Sequence, residues 1–439
     1  MKKWIRPITC VLLCLWANCG ILMYRYPQYL ISLLCLVVAT NTLPLLAQDN
    51  PFGKQLWFLT HGHYCLRIFL AAALVSIPCQ GFIAWYLLPE NLWQVVTSGA
   101  VCLLVLLSMF FNGMCFVYTT SYQLGLKLRI IGFALCLIPI ANLVVLLVIL
   151  HETAKEIRTE TEKELLNRQR EAQQICKTKY PILLVHGVFF RDFKYFGYWG
   201  RIPKQLTRNG ATVFFGNHPS AAPISQCAEI LTRRVMEIVE QTGCEKVNII
   251  AHSKGGLDCR YAIEYCGMAP YVASLTTMST PHRGSKFADF MLAKLPKFVQ
   301  RHFSRLYDLA LNKLGEPEAD LMSAVKDLTT EHCKALDAAI PLPEGILCRS
   351  YGSKLNRASG GRFPMNFTFM LAKYIDGPND GLVGEDSFAW GSEYTYLTTT
   401  ARHGISHCDM TDLNRANLSD FDVRELYVRL VADLKERGL

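Results

Sequence analysis

Acidic residues are almost missing from the first third of this 439-residue chain, where Asp49 and Glu90 are the only two before position 151. With eight Lys/Arg beside them, that third holds 10 charges in 150 positions, against 71 in the remaining 289. The two parts are therefore built for different solvents, which excludes a single soluble domain, a disordered chain and a small disulfide scaffold. A basic face on the polar part is also lacking. The net charge of +9 divides into +6, set in short loops between apolar runs, and +3 for the rest, so nucleic acid is not an expected partner. CxxC spacing is absent among Cys176, Cys227, Cys244, Cys259, Cys266, Cys333, Cys348 and Cys408, which read as buried free thiols; the nine earlier cysteines serve as small apolar side chains. No internal repeat or low-complexity segment interrupts the chain.

What the first third does contain is five stretches free of Asp, Glu, Lys, Arg and His: residues 8–24, 30–47, 68–88, 92–118 and 130–150. Each approaches the ~20 residues that cross a bilayer core, so an all-α transmembrane bundle of about five helices is expected over residues 1–150. Residues 8–24 follow Lys2, Lys3 and Arg6 as a signal peptide would, but without a clear small-x-small cleavage site they read as a span. Arg25, Tyr26, Tyr29, Trp85, Trp93 and Tyr118 fall at run ends, where amphipathic side chains settle at headgroup level. The uncharged runs argue against an ion pathway. Asn18, Asn41, Gln80, Asn112 and Asn142 fit helix-to-helix hydrogen bonding, and His61, His63 and Cys65 read as a juxtamembrane loop rather than a metal site.

With the N-terminus inside, five spans put Lys54, Arg67, Lys127 and Arg129 on inner loops and deliver the remainder outside, giving a multi-pass membrane protein with an extracytoplasmic catalytic domain. Basic residues after the last span weigh against that side. Residues 151–179 alternate Glu with Lys/Arg, as in a solvated helical stalk.

From Tyr180 onward, short apolar strands alternate with amphipathic segments at 182–186, 211–215, 246–251, 274–279 and 345–352. That order makes a mostly parallel sheet flanked by helices, an α/β fold over residues 180–439. The third strand runs into Ala251-His252-Ser253-Lys254-Gly255-Gly256 and then a helical stretch. Small residues around such a Ser let strand and helix approach, holding its hydroxyl at the sheet's carboxyl edge as a nucleophile elbow. His186-Gly187-Val188 ends the first strand, so the backbone N–H groups of Val188 and Lys254 are the expected oxyanion donors. A Ser nucleophile needs a base and an acid to orient it, which follow in the order Asp380 and His407; Asp376 and His403 are the nearest decoys.

The segments YPILLVHG, VNIIAHSKGGLDCRYA, STPHRGS, NDGLVG and SHCDMTDL resemble, in order, the signature segments of bacterial triacylglycerol lipases of the α/β-hydrolase superfamily, over about Lys179 to Leu439. The resemblance implies an α/β-hydrolase fold and ester hydrolysis with Ser253 as nucleophile, Asp380 as acid, His407 as base and Val188 and Lys254 at the oxyanion hole. No cofactor is required. It allows a structural calcium at Asp409, two residues after the His, although the second carboxylate ligand has no counterpart; the insertion with which some relatives bind zinc is missing, so zinc is not expected.

Seven aromatics crowd residues 189–199 (Phe189, Phe190, Phe193, Tyr195, Phe196, Tyr198, Trp199) and could line an acyl pocket or pack beneath the loop. Residues 285–331 form a cap or lid, with Phe290, Met291, Leu295, Phe298, Val299, Phe303 and Leu306 mixed among Lys294, Lys297, Arg301, Arg305 and Lys313 and broken at Pro296. The expected protein is thus a membrane-anchored serine hydrolase of lipid esters, with membrane lipids as partners. An acyltransferase or phospholipase using the same triad, an acyltransferase using His407 and Asp412 in H-x-x-x-x-D spacing, and a non-catalytic membrane scaffold are the alternatives.

Overall fold

The computed structural model describes residues 2–47, 52–136, 138–188, 197–313, 319–362 and 365–439. The chain divides into two compact units, Met1–Leu166 and Asn167–Leu439.

The first unit is all helical: α1 (Lys2–Ala17), α2 (Gly20–Arg25), α3 (Leu30–Leu46), α4 (Lys54–Leu87), α5 (Leu92–Thr120), α6 (Gly125–Ala134) and the start of α7 (Pro139–Arg170). Three of these are long and apolar enough to cross a membrane: α3 with the turn before it (Pro27–Leu46), α4 and α5. Two of the five expected spans are therefore not continuous helices. Residues 8–24 break at Asn18, whose side-chain amide donates to Cys14 O (2.8 Å) and Ser76 Oγ (2.9 Å). There the chain closes on α5, since a Cβ on Gly20 would stand 2.4 Å from Ser98 Cα. Residues 130–150 break between α6 and α7, with Ile138 N–H donating to Leu135 O in a turn (3.1 Å).

Hydrogen bonds across the helices use the amides expected to do so. Gln80 Nε2 donates to Asn18 Oδ1 (3.1 Å), Ser98 Oγ to Gln80 Oε1 (2.9 Å), Asn41 Nδ2 to Ser108 Oγ (3.1 Å) and Asn112 Nδ2 to Asn41 Oδ1 (3.2 Å). Asn142 differs, bonding locally to Cys136 O (2.8 Å). His61, His63 and Cys65 lie inside α4, not in a loop. One turn apart, Cys65 Sγ and His61 Nε2 share a face at 3.5 Å, while His63 Nδ1 meets Thr153 Oγ1 at 2.9 Å on another, so the three do not converge on an ion. Residues 151–170 are helical, but not wholly solvated. Glu156 is buried, accepting from Ser121 O–H and Tyr122 N–H (2.9 Å).

The second unit is a six-stranded parallel sheet, β1 (Ile182–Val185), β2 (Val213–Phe215), β3 (Val247–His252), β4 (Val272–Met278), β5 (Leu347–Ser353) and β6 (Glu393–Leu397), in the order β2-β1-β3-β4-β5-β6. The helices are α8 (Ile202–Arg208), α9 (Ile224–Thr242), α10 (Lys254–Tyr265), α11 (Lys286–Lys294), α12 (Lys297–Lys313), α13 (Leu321–Lys326), α14 (Thr330–Ala339), α15 (Met365–Asp376) and α16 (Val423–Glu436). Every residue of β1, β3 and β4 is buried. Such strands read as unbroken apolar runs because helices cover both faces. Ile182 and Leu184 pack with Ile202, Leu206, Tyr427 and Val431 of α8 and α16, while Leu183 and Val185 pack with Leu231, Val235, Cys259 and Ala262 of α9 and α10. The strand period of two divides one sequence run between two cores.

Candidate active site

The turn between β3 and α10 is strained. Ser253 has φ 56° and ψ −131°, a conformation costing about 1–3 kcal/mol for a residue with a side chain. Its backbone is fully engaged: the N–H donates to Met278 O (2.9 Å), and the carbonyl accepts from Gly256 N–H (3.1 Å) and Thr280 Oγ1 (2.8 Å). The two glycines are required by contact. A Cβ on Gly255 would stand 2.4 Å from His186 O, and one on Gly256 2.2 Å from Thr280 Oγ1. Ala251 substitutes for the first glycine of the pattern without difficulty, as a fully buried strand residue.

Gly187 brings the end of β1 against this turn, where a Cβ would be 2.7 Å from Ser253 Cβ. Val188 follows it, its side chain buried against Ile224 and Leu257. Among the described residues, the N–H groups of Val188 and Lys254 donate to no backbone or side-chain acceptor. Lys254 also carries a side chain whose place the sequence did not reveal. Its Nζ is buried and bonds Asp258 Oδ1 at 2.6 Å, one turn along α10. Burial opposes the ammonium charge, but Asp258, Cys227 and Asp327 together outweigh it and the Lys254 pKa moves upward; burial likewise lifts the Asp258 carboxyl to about 7, against the pull of Lys254.

Asp380 and His407 come together from loops beyond β5 and β6. His407 Nδ1 lies 2.7 Å from Asp380 Oδ2, and His407 N–H donates to Asp380 O (2.8 Å). The other carboxylate oxygen, Oδ1, accepts from Leu382 N–H (3.0 Å) and Val383 N–H (2.9 Å). Asp380 is completely buried. The tight turn uses its neighbours, with Gly381 at φ 108° and its N–H donated to Asn379 Oδ1 (2.9 Å). Opposite the pair stands His252, the residue before Ser253, with ring centroids of His252 and His407 4.5 Å apart. The decoys are elsewhere: Asp376 is paired with Lys286 (2.7 Å), and His403 is exposed, accepting from Asn356 N–H through its carbonyl (3.1 Å).

The residues around Asp409 do not fit a calcium ion. Its Oδ2 accepts from both Ser406 N–H (2.9 Å) and Ser406 O–H (2.6 Å), and burial raises its pKa. The nearby carboxylate of Asp412 is held by Arg201 (2.7 Å) and by Arg201 N–H (2.8 Å). Among the described residues no group of three or more His, Cys, Asp or Glu is arranged to hold a metal. The same Arg201 pair engages the Asp of the H-x-x-x-x-D spacing.

Of the seven loop aromatics, Phe189, Phe190, Phe193, Tyr195 and Phe196 lie outside the described residues. Tyr198 and Trp199 are core residues instead of pocket lining, 4% and 1% exposed. The basic segment forms α11 and α12, separated at Leu295-Pro296; its residues 314–318 lie outside the described residues. Leu311 of α12 is buried against Ala221 and Leu321, whereas Phe298, Leu306 and Leu309 are exposed with Arg301 and Arg305.

Residues 180–341 match the family model for the alpha/beta hydrolase fold. A triacylglycerol lipase of Vibrio cholerae is 27% identical over 327 residues, covering 68% of this chain and 100% of that protein. One from Pseudarthrobacter phenanthrenivorans is 32% identical over 184 residues, 39% of this chain and 56% of that one. The crystal structure of a mature Bacillus licheniformis lipase aligns with TM-score 0.44 and 22% identity, over 58% of this chain and 92% of that one. Its parallel sheet and its family match give the second unit the α/β-hydrolase fold.

Proposed function

We propose that this α/β hydrolase is a membrane-anchored serine enzyme that cleaves carboxylic esters of lipids. Ser253 Oγ attacks the ester carbonyl as its proton passes to His407 Nε2, and the buried Asp380 carboxylate steadies the imidazolium that forms. The tetrahedral oxyanion accepts from the N–H groups of Val188 and Lys254. Collapse returns the proton to the departing alcohol and leaves an acyl-Ser253, which water, deprotonated by His407, then hydrolyses. The observation that carries this reading is the 2.7 Å contact of His407 Nδ1 with the buried Asp380 carboxylate, beside a serine held in a strained turn. An acyltransferase built on His407 and Asp412 has less support, because Arg201 occupies Asp412.

Ester hydrolysis by lipase relatives and the three apolar helices favour a lipid ester as substrate. The exposed apolar and basic face of α12 suits a cap that meets anionic lipid. Which side the hydrolase faces follows from loop charge. Five spans placed it outside; counted on three helices, Lys54, Lys127 and Arg129 fall on the hydrolase's side within about 20 residues of the helix ends, against Arg25 on the other, and the charge rule then favours the cytoplasmic face. Among the described residues no disulfide joins any of the cysteines, as a reducing compartment would keep them.

The test is fluorophosphonate labelling and ester hydrolysis by the detergent-solubilised full chain and its Ser253→Ala variant. Labelling and turnover in the parent, with both lost in the folded variant, are expected; turnover in folded Ser253→Ala close to the parent's sinks the nucleophile assignment.

A further inference from the structure

Tyr198 and His252 are buried beside the site, and neither is given a part in the chemistry above. Three hydrogen bonds join them to both of its halves. Gly187 N–H donates to Tyr198 Oη (3.1 Å), Tyr198 Oη meets His252 Nδ1 (2.6 Å), and His252 Nε2 meets His407 O (3.1 Å). Donor and acceptor rules fix every direction. A carbonyl only accepts, so Nε2 of His252 carries the hydrogen. The neutral ring then has a bare Nδ1, which takes the Tyr198 hydroxyl proton. The phenol oxygen, donating its own proton to Nδ1, accepts from Gly187 N–H. Burial, together with the neighbouring His407 ring, holds the His252 pKa well below its ordinary value and keeps that tautomer neutral.

We infer that Tyr198 and His252 are positioning residues, a neutral relay that sets the oxyanion loop at Gly187-Val188 and the backbone of His407 relative to each other. The inference rests on the proposed roles of Val188 and His407. Gly187 N–H points away to Tyr198, so the next N–H, that of Val188, is the one left for substrate. At the other end, the bond to His407 O restrains the residue whose ring must reach Ser253. His252 also adjoins Ser253 in sequence, so one ring ties nucleophile, base and oxyanion loop. A neutral ring suits the place, because a cation 4.5 Å from His407 would oppose the imidazolium needed during acylation.

Tyr198→Phe keeps the ring's packing and removes the hydroxyl, leaving Gly187 N–H and His252 Nδ1 without their partner. Per active site titrated with fluorophosphonate, kcat on a short-chain ester should fall about tenfold or more while KM stays within about twofold, since misplacement by tenths of an ångström acts on the transition state. His252→Gln places an amide N–H near Nε2 and retains the bond to His407 O, but cannot accept from Tyr198. His252→Asn does the reverse. Because Tyr198→Phe and His252→Gln cut the same link, their double variant should be about as slow as the slower single one, whereas independent packing defects would multiply. A kcat per titrated site within about twofold of the parent in Tyr198→Phe, or, where that variant does not fold, in both His252 variants, overturns the relay. So does a multiplicative double variant. Ser253→Ala in the same assay separates the two ideas: if it is inactive while the relay variants are unimpaired, only the relay fails, and if it remains active the proposed mechanism itself is wrong.

Discussion

Asp380→Asn is the sharpest perturbation the site offers, because the backbone dictates how the new amide must lie. In the parent, Oδ1 accepts from the N–H groups of Leu382 and Val383, and Oδ2 faces His407 Nδ1 at 2.7 Å. Asparagine has one side-chain oxygen. Turning that oxygen to His407 would set its NH2 against two backbone N–H donors, so the oxygen stays with Leu382 and Val383 and the NH2 faces Nδ1. Histidine must then present a bare Nδ1, which moves its hydrogen to Nε2, where a base for Ser253 needs a lone pair. The wrong tautomer is thereby the stable one. A change of this kind in a serine triad lowers kcat by about 10⁴, equivalent to about 5 kcal/mol of barrier. The fold should tolerate it, since two of three contacts and the side-chain volume persist; a stability loss of about 1–3 kcal/mol is expected. Hydrolysis of a fluorogenic ester by parent and variant, normalised to folded protein by thermal melting, measures both quantities. Activity of a folded Asp380→Asn within about tenfold of the parent would refute the orienting role of Asp380.

Gly256→Ala should destabilise by about 1–3 kcal/mol by overpacking, with its Cβ meant to stand 2.2 Å from Thr280 Oγ1; adding Thr280→Ala should recover part of the melting temperature, and no recovery would place the clash elsewhere. Burial pushes His252 and His282 well below their ordinary pKa, so below about pH 6.5 the unfolded chain binds protons that the folded one refuses. Stability should accordingly fall with pH by up to about 1.4 kcal/mol per unit for each ring in that window, and a melting temperature flat between pH 7 and 5 would contradict the neutral assignment. Chelation with EDTA should leave melting and turnover unchanged, as the engaged Asp409 carboxylate implies; a drop restored by calcium would show that a cation site was misread. Protease added to right-side-out vesicles should spare residues 151–179 until the membrane is opened, and cleavage before permeabilisation would put the hydrolase outside.

The hydrolase half was legible because its elements are locally determined. A parallel strand buried on both faces must be an apolar run, and an elbow needs its small residues next to the serine, so β1, β3 and the turn at Ser253 could be read directly. Asp380 and His407 were accessible through chain order and turn chemistry, with Gly381 marking the bend. The losses arose where distant residues decide. Apolar runs 8–24 and 130–150 look continuous in one dimension, but Asn18 meets Ser76, and Gly20 meets Ser98, only after helices assemble. His61, His63 and Cys65 looked like loop polarity, yet α4 buries them by giving His63 a partner in Thr153. Tyr198 and Trp199 could not be told from their aromatic neighbours by composition, and the partner that takes Asp412 lies 211 residues earlier at Arg201. The histidine before Ser253 was the available signal for the relay. A ring that can donate and accept at once is conspicuous at the end of a buried strand.

Two further buried histidines, His252 and His282, are held by hydrogen bonds that fix the same tautomer. His282, four residues past β4, accepts from Arg260 Nη1 at Nδ1 (3.1 Å) and faces Thr277 Oγ1 through Nε2 (3.0 Å), while Thr277 Oγ1 in turn donates to Arg349 O (3.3 Å). With Arg260 a pure donor, Nδ1 must be bare and Nε2 must carry the hydrogen, the same tautomer as in His252. Both rings satisfy a donor and an acceptor without bringing charge into a low-dielectric interior. A lysine in place of His252 would repel the imidazolium proposed at His407, and an aspartate there would compete with Asp380 for it. Among His252, His282 and His407, His407 alone meets a carboxylate at hydrogen-bond distance through Nδ1. What faces Nδ1 separates these three rings: a hydroxyl hydrogen at His252, a guanidinium at His282 and a carboxylate at His407, the proposed base.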